Sequence, residues 1–280
     1  MNRDQLLAWV TERLHNDQRV RGLWITGSTA RGTDDEFSDL DLLAVVTDED
    51  RADFASTWVA QVVQSMPLVH HQLLDFGPTV VVHHIVGDNW LRFDLTFGPA
   101  ENLRTRSQQT AKVVFDHDDL NSALPAEAPP TRPSPEVIAR VVPEFLRVAG
   151  LLPVAVGRAD YVVAASGSAL LRTLLIQLMV ESVEVEDRGG ALHLQTLLAP
   201  DHFRLLEDLP PIAATRESAI AVQRACFDAF VPVAQDLCRR TGVPWPESFA
   251  DAVRRRLAPL WSQPERAKMP QQRGPGRVGA

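Results

Sequence analysis

Lysine is almost missing from this chain. Of its 28 lysine and arginine residues, only Lys112 and Lys268 are lysines. That preference for arginine reads as a compositional habit of the source genome, and no basic run marks a groove before the C-terminal tail. The net charge of −8 and a pI near 5.5 argue against a long nucleic-acid partner. Duplex binding usually relies on a basic surface that releases counterions. Cysteine is as scarce, with Cys226 and Cys238 twelve residues apart in one helical stretch. Twelve residues of helix rise about 18 Å, beyond a disulfide's reach. Both are therefore expected to be free, buried thiols of a reducing compartment.

Other absences narrow the class further. Met1-Asn2-Arg3-Asp4-Gln5 has no apolar core of a signal peptide. The most apolar windows, such as 141–156, are broken by Glu144, Arg147 and proline, short of a membrane span. The expectation is a cytoplasmic protein with no membrane partner. No Gly-x-x-x-x-Gly-Lys-Ser/Thr phosphate loop and no His-Glu-x-x-His occurs. Ala165-Ser166-Gly167-Ser168-Ala169 lacks the Gly-x-Ser-x-Gly of a hydrolase elbow and lies in a helical pattern, where small residues mark close packing. No internal repeat is visible. The six tryptophans (9, 24, 58, 90, 245 and 261) are scattered as core residues are.

What remains is a globular composition, 45% hydrophobic and 23% charged over 280 residues, enough for one large or two modest domains. Leu6, Leu7, Val10 and Leu14 recur at helical spacing. The segments 20–26, 40–46 and 69–76 read as strands, and 52–65 as a helix ended by Pro67. Residues 80–86 and 90–97 flank Gly87-Asp88-Asn89, a hairpin signal, since Gly and Asn tolerate the positive φ of a tight turn. The pattern over 102–114 is mixed and names no element. Five prolines crowd 125–135, which reads as a linker. Beyond it the period becomes 3.6, starting at Ser134-Pro135, an N-cap followed by Pro at the first helical position. Apolar stripes run over 137–156, 161–183, 212–237 and 249–260, with no convincing strand. The fold class is α+β: a mixed sheet with flanking helices over 1–124, a linker over 125–135, an all-α bundle over 136–262 and a disordered tail over 263–280.

One stretch, Gly27-Ser28-Thr29-Ala30-Arg31-Gly32-Thr33-Asp34-Asp35-Glu36-Phe37-Ser38-Asp39-Leu40-Asp41, raises a site. In a strand, Asp39 and Asp41 point the same way with α-carbons about 6.5 Å apart, while Leu40 and Leu42 face the core. Two carboxylates on one face suit Mg²⁺, which takes one or two carboxylates plus phosphate oxygens. Gly27-Ser28 ends the preceding strand. If a helical turn follows, its free N–H groups and the Ser28 hydroxyl face an anion that can approach the backbone closely at glycine. On the hairpin, Asp94 shares a face with Arg92 and Thr96, opposite Phe93, Leu95 and Phe97. An acid in so apolar a strand needs a reason, and metal coordination supplies one. Taken singly, an Asp-x-Asp is most often a solvated face, and Asp94 could simply pair with an arginine. The conjunction carries the weight. Asp34, Asp35 and Glu36 are read as a solvated loop. His70-His71 and His83-His84 are read as structural or substrate-lining, because neighbours on a strand face opposite sides and cannot easily chelate one ion.

Gly27-Ser28, Asp39-x-Asp41 and Asp94 together resemble the signature of the nucleotidyltransferase superfamily that includes DNA polymerase β. Within it the chain is most similar to the aminoglycoside- and streptomycin-6-adenylyltransferase-like enzymes. Phe93-Asp94-Leu95-Thr96-Phe97, Lys112-Val113-Val114-Phe115-Asp116-His117-Asp118 and the helical second half support that choice. The resemblance implies two Mg²⁺ ions held by Asp39, Asp41 and Asp94, with ATP or another nucleoside triphosphate cradled by Gly27 and Ser28. Arg31 would touch phosphate, or be an exposed structural arginine. AMP would pass to a hydroxyl of a small, cationic molecule, an aminoglycoside among them, with pyrophosphate leaving by in-line displacement. The base is open among Asp160, Glu181, Glu184 and Asp94. Two alternatives stand. One is a protein-AMPylating antitoxin-like enzyme, against which the long helical extension counts. The other is a nucleotide-binding module without catalysis, against which the complete set of acids counts. A monomer and a homodimer are both open.

Overall fold

The computed structural model describes residues 1–189 and 193–262, so the expected disordered tail, 263–280, lies outside the described residues. The chain divides into two compact units, Met1–Pro130 and Thr131–Ala280.

The first unit opens with α1 (Arg3–His15), started by a capping box in which Asn2 and Gln5 satisfy each other's backbone N–H groups. Then come β1 (Val20–Ile25), a five-residue helix α2 (Gly27–Arg31), β2 (Leu40–Val46) and α3 (Arg51–Ser65). Three successive strands follow: β3 (Leu68–Asp75), β4 (Val80–Val86) and β5 (Leu91–Gly98). A short 3-10 turn (Ala100–Leu103) and β6 (Lys112–Asp116) complete the sheet. The six strands lie in the order β3-β4-β5-β2-β1-β6. Every adjacent pair is antiparallel except β2 and β5, which run parallel.

That single parallel pairing positions the site. Its register sets Leu40 beside Phe93, Asp41 beside Asp94 and Leu42 beside Leu95. The alternation of each strand then sorts the two faces. Leu40, Leu42, Phe93 and Leu95 join Leu6, Val10, Phe54 and Trp58 of α1 and α3 in one buried core. Leu43 and Val45 point the other way, into a smaller cluster with Trp24, Leu103 and Leu124. Asp41 and Asp94 fall on this second face, away from α1 and α3.

The segment 102–114, which named no element in the sequence, contributes the end of the 3-10 turn and the first three residues of β6. As an edge strand β6 keeps Lys112 and Val113 exposed, so the alternation that marks a half-buried strand is missing there. Its end is shaped by acids of the Asp116-His117-Asp118 run. Asp116 accepts from the N–H groups of Asn121 (2.7 Å) and Asp118 (3.1 Å), while Asp118 pairs with Arg21 of β1.

The second unit is helical throughout its described residues: α4 (Pro135–Ala149), α5 (Leu152–Gly157), α6 (Tyr161–Glu181), α7 (Leu194–Leu197), α8 (Pro200–Glu207), α9 (Arg216–Thr241) and α10 (Glu247–Trp261). Ser134 caps α4 by accepting from Val137 N–H, with Pro135 at the first turn. The helices α4, α6 and α9 pack on one another around Phe145, Leu175, Phe230 and their neighbours. Two expectations change here. The short helices α7 and α8 carry no apolar stripe long enough to be seen in sequence. And α6, whose interior carries no charge except Arg172, is by length and composition apolar enough to cross a membrane; here Leu171, Leu174, Leu175, Leu178 and Met179 enter the helical core, while Val162, Val163 and Leu170 stay exposed. Cys226 and Cys238 are both free and buried on α9, and burial pushes the Cys226 thiol up to about 11.

Candidate active site

Asp39, immediately before β2, Asp41 on β2 and Asp94 on β5 each offer a carboxylate oxygen within 4.8 Å of the others. Asp39 is placed by its connection to β2 and by Arg92. The Arg92 guanidinium donates to the Phe37 carbonyl (2.9 Å) and lies 3.7 Å from the Asp39 carboxylate. It thus ties β5 to the loop that delivers Asp39. Asp34, read from sequence as solvated, is instead paired with Arg3 of α1. Asp35 closes the loop on itself by accepting from Phe37 N–H and the Ser38 hydroxyl, both at 2.9 Å.

Gly27 has a reason to be glycine that differs from the one the sequence offered. Its φ is +64°, and a Cβ built on it would lie 1.8 Å from the Asp41 Oδ2. The missing side chain is the room that the Asp41 carboxylate occupies. The turn is held there because Thr26 N–H donates to the Asp41 carbonyl at 2.9 Å. The helical turn expected after Gly27-Ser28 is present as α2, beginning at Gly27 itself. Ser28 is buried, and the neighbouring Thr29 hydroxyl is buried with no hydrogen-bond partner. Arg31 lies in the last turn of α2, at the opposite end from Gly27.

His83, which the sequence marks as structural or substrate-lining, reaches the site. It faces Asp94 across the β4–β5 hairpin, with Nδ1 2.6 Å from the Asp94 Oδ2. An ionised carboxylate only accepts, so Nδ1 is the donor. Burial away from water raises the Asp94 carboxyl above the usual range, the His83 hydrogen bond opposes that, and the nearby Asp39 charge adds to it. The signal was available: with residues 87–90 as the turn, the hairpin register that pairs Val86 with Leu91 also pairs His83 with Asp94.

The next residue has the opposite fate. His84 is 1% exposed, accepts from the Trp58 indole at 3.1 Å and bonds the Phe93 carbonyl through Nδ1 at 3.2 Å. Burial lowers it to about 4, so it is a neutral core residue.

The candidates from the second unit are engaged there. Asp160 caps α6, accepting from Val163 N–H at 3.1 Å. Glu181 is buried, 3.1 Å from Arg188, and accepts from Ser134 N–H at 2.5 Å. Glu184 pairs with Arg240. These contacts give both glutamates structural work.

A family model described as streptomycin adenylyltransferase matches residues 1–258. No curated protein matches the chain significantly. Among solved structures, an aminoglycoside 6-adenyltransferase from Bacillus subtilis is similar over 94% of this chain and 100% of that one, at 14% identity and a TM-score of 0.44. A nucleotidyltransferase-like protein from Exiguobacterium sibiricum 255-15 is similar over 92% of this chain and 89% of that one, at 15% identity and a TM-score of 0.33.

Proposed function

The chain belongs to the streptomycin adenylyltransferase family, a family of nucleotidyltransferase enzymes, and from that premise we propose that it transfers AMP from ATP to a hydroxyl of a small cationic acceptor of the aminoglycoside class, releasing pyrophosphate. The observation that carries the reading is the convergence of three carboxylates from β2 and β5 within 4.8 Å.

The donor set fits Mg²⁺. All three groups are hard oxygen ligands, and the pocket of space at Gly27 lets the Asp41 carboxylate lie against the backbone beside α2. Asp39, Asp41 and Asp94 would hold the ions, which when bound offset the charge that develops on the triphosphate during transfer. Gly27 and Ser28 would hold the triphosphate through the first N–H groups of α2, which as in any helix lack an intrahelical partner. Arg92 keeps Asp39 in place, and His83 fixes the orientation of Asp94. The net charge of −8 favours a cationic acceptor, since a negative field concentrates one.

Two groups compete for the proton of the acceptor hydroxyl, Asp94 within the carboxylate cluster and Asp160 at the head of α6. An Asp160→Asn enzyme with an unchanged pH–rate profile assigns that proton to Asp94; loss of the acidic limb assigns it to Asp160. The reading as a whole is tested with purified protein, Mg²⁺, ATP and streptomycin, following pyrophosphate and acceptor mass. Stoichiometric pyrophosphate with an acceptor heavier by one adenylyl group is expected. No pyrophosphate with streptomycin or any other aminoglycoside would overturn the proposal.

A further inference from the structure

Within the helical unit a cavity of about 340 Å³ opens between the end of α4, α5, the first turns of α6, and α9. Its walls are apolar, formed by Val148, Leu152, Val163 and Ala164 among others. A cavity near 150 Å³ accepts benzene, so this one has room for a ring with a chain attached. One polar side chain enters that apolar lining away from the rim. Gln223 on α9 is 2% exposed, lines the cavity, and its Oε1 has no hydrogen-bond partner. An amide acceptor left unpaired in an apolar wall is destabilising, and native structures pair nearly all such groups. A leucine would fill the position without that defect. The rim carries Arg158 and Asp160, so a ligand's polar end could also meet charge at the opening.

We propose that this cavity is a binding site for a small molecule with an apolar body and one hydrogen-bond donor, a hydroxyl or an ammonium, that pairs with the Gln223 amide. The site lies wholly in the second unit; of its lining only Asp160, at the rim, also figures in the adenylyl-transfer reading, and Gln223 and Gly167 take no part in that reading. Its chemistry also differs from that of a polyhydroxylated, multiply charged aminoglycoside, which would have to strip many polar groups of water to enter apolar walls.

Gly167 of α6 provides the means of closing it. Gly167 lines the cavity, and the one atom near a Cβ built there is the Gln223 Nε2 at 3.9 Å. A side chain is therefore accommodated, and leucine also favours the helix over glycine. The probes are 3-phenylpropan-1-ol, 3-phenylpropylamine and propylbenzene, titrated calorimetrically into the full chain. The alcohol or the amine is expected to bind at least tenfold more tightly than propylbenzene. In Gln223→Leu that preference falls to about one while propylbenzene still binds. In Gly167→Leu all three are lost, with a melting temperature no lower than that of the starting protein. Asp41→Asn binds all three unchanged, which separates this site from the carboxylate cluster. Equal binding of the three probes to the starting protein, no binding at all, or undiminished binding to a folded Gly167→Leu would each overturn the proposal.

Discussion

The two units each place a polar group in apolar surroundings and treat it differently. In the sheet, Asp94 stands between Phe93 and Leu95, yet His83 bonds it and Asp39 and Asp41 share its space. In the helical unit, Gln223 stands in an equally apolar wall with its acceptor unpaired. Hydrophobic cores are built against both situations, because unpaired buried polar groups are costly. The sheet meets part of that cost with His83 bonded to Asp94 and Arg92 beside Asp39, and the proposed cations would offset the carboxylate charge that is left. The helical unit leaves an acceptor that a ligand's donor would complete. The difference teaches where each unit is unfinished.

The largest expected effect is at the carboxylate cluster. Asp41→Ala removes the group whose place Gly27 keeps open. Activity should fall at least about a thousandfold, or ~4 kcal/mol of barrier, with the melting temperature scarcely changed. Steady-state rates on streptomycin together with a thermal melt decide this. A variant that keeps activity within tenfold would show that the acids of the sheet are no more functional than an ordinary solvated face.

Next comes pH, which separates two neighbours on one strand. His84 titrates near 4 in the fold against 6.5 for a free histidine. The folded form therefore refuses a proton that the unfolded chain binds. Its contribution is complete above pH 6.5 and is lost as pH falls toward 4, by roughly 3 kcal/mol. Urea unfolding between pH 7.5 and 4 should show that loss, and His84→Leu, though weaker at pH 7.5, should flatten the slope by the same amount. An unflattened slope would place the acid sensitivity elsewhere.

A smaller effect is expected at the neighbouring residue. His83→Ala frees Asp94 to rotate and should lower activity by about 10- to 100-fold, the range for residues that orient a ligand of a metal. Mn²⁺ affinity measured by electron paramagnetic resonance should weaken in step, while stability hardly changes. Lost activity with unchanged Mn²⁺ affinity would instead give His83 a role toward the substrates.

How much of this was legible in the sequence follows from which interactions are local. The period of two put Asp39 with Asp41, and Asp94 opposite Phe93 and Leu95, without any knowledge of the sheet. The Ser134-Pro135 start of α4 was equally readable, because a cap and a fixed φ act within one turn. What could not be read is that β5 lies parallel beside β2. That pairing joins residues more than fifty positions apart and is decided by how β3, β4 and β5 fold back, not by any residue at the contact. His83 was missed for a related reason: its identity says little, and its register across the hairpin says everything. Gln223 sits on a helical stripe whose pattern looks like core, and only the packing of four helices reveals a cavity there.

The smallest expected effect is also the sharpest test of the comparison. If Gln223 is kept for a ligand, its unpaired acceptor weakens the protein when no ligand is present. Gln223→Leu should then raise stability by about 1 kcal/mol, a shift of a few degrees in melting temperature. The adenylyl-transfer rate should stay unchanged, because the carboxylates of the sheet are untouched. Asp94→Leu makes the complementary change in the sheet, where it should abolish activity. Differential scanning calorimetry of both variants decides the matter. A Gln223→Leu protein that melts lower would mean that the amide already has its partner in solution, and the helical unit would then be as complete as any ordinary core.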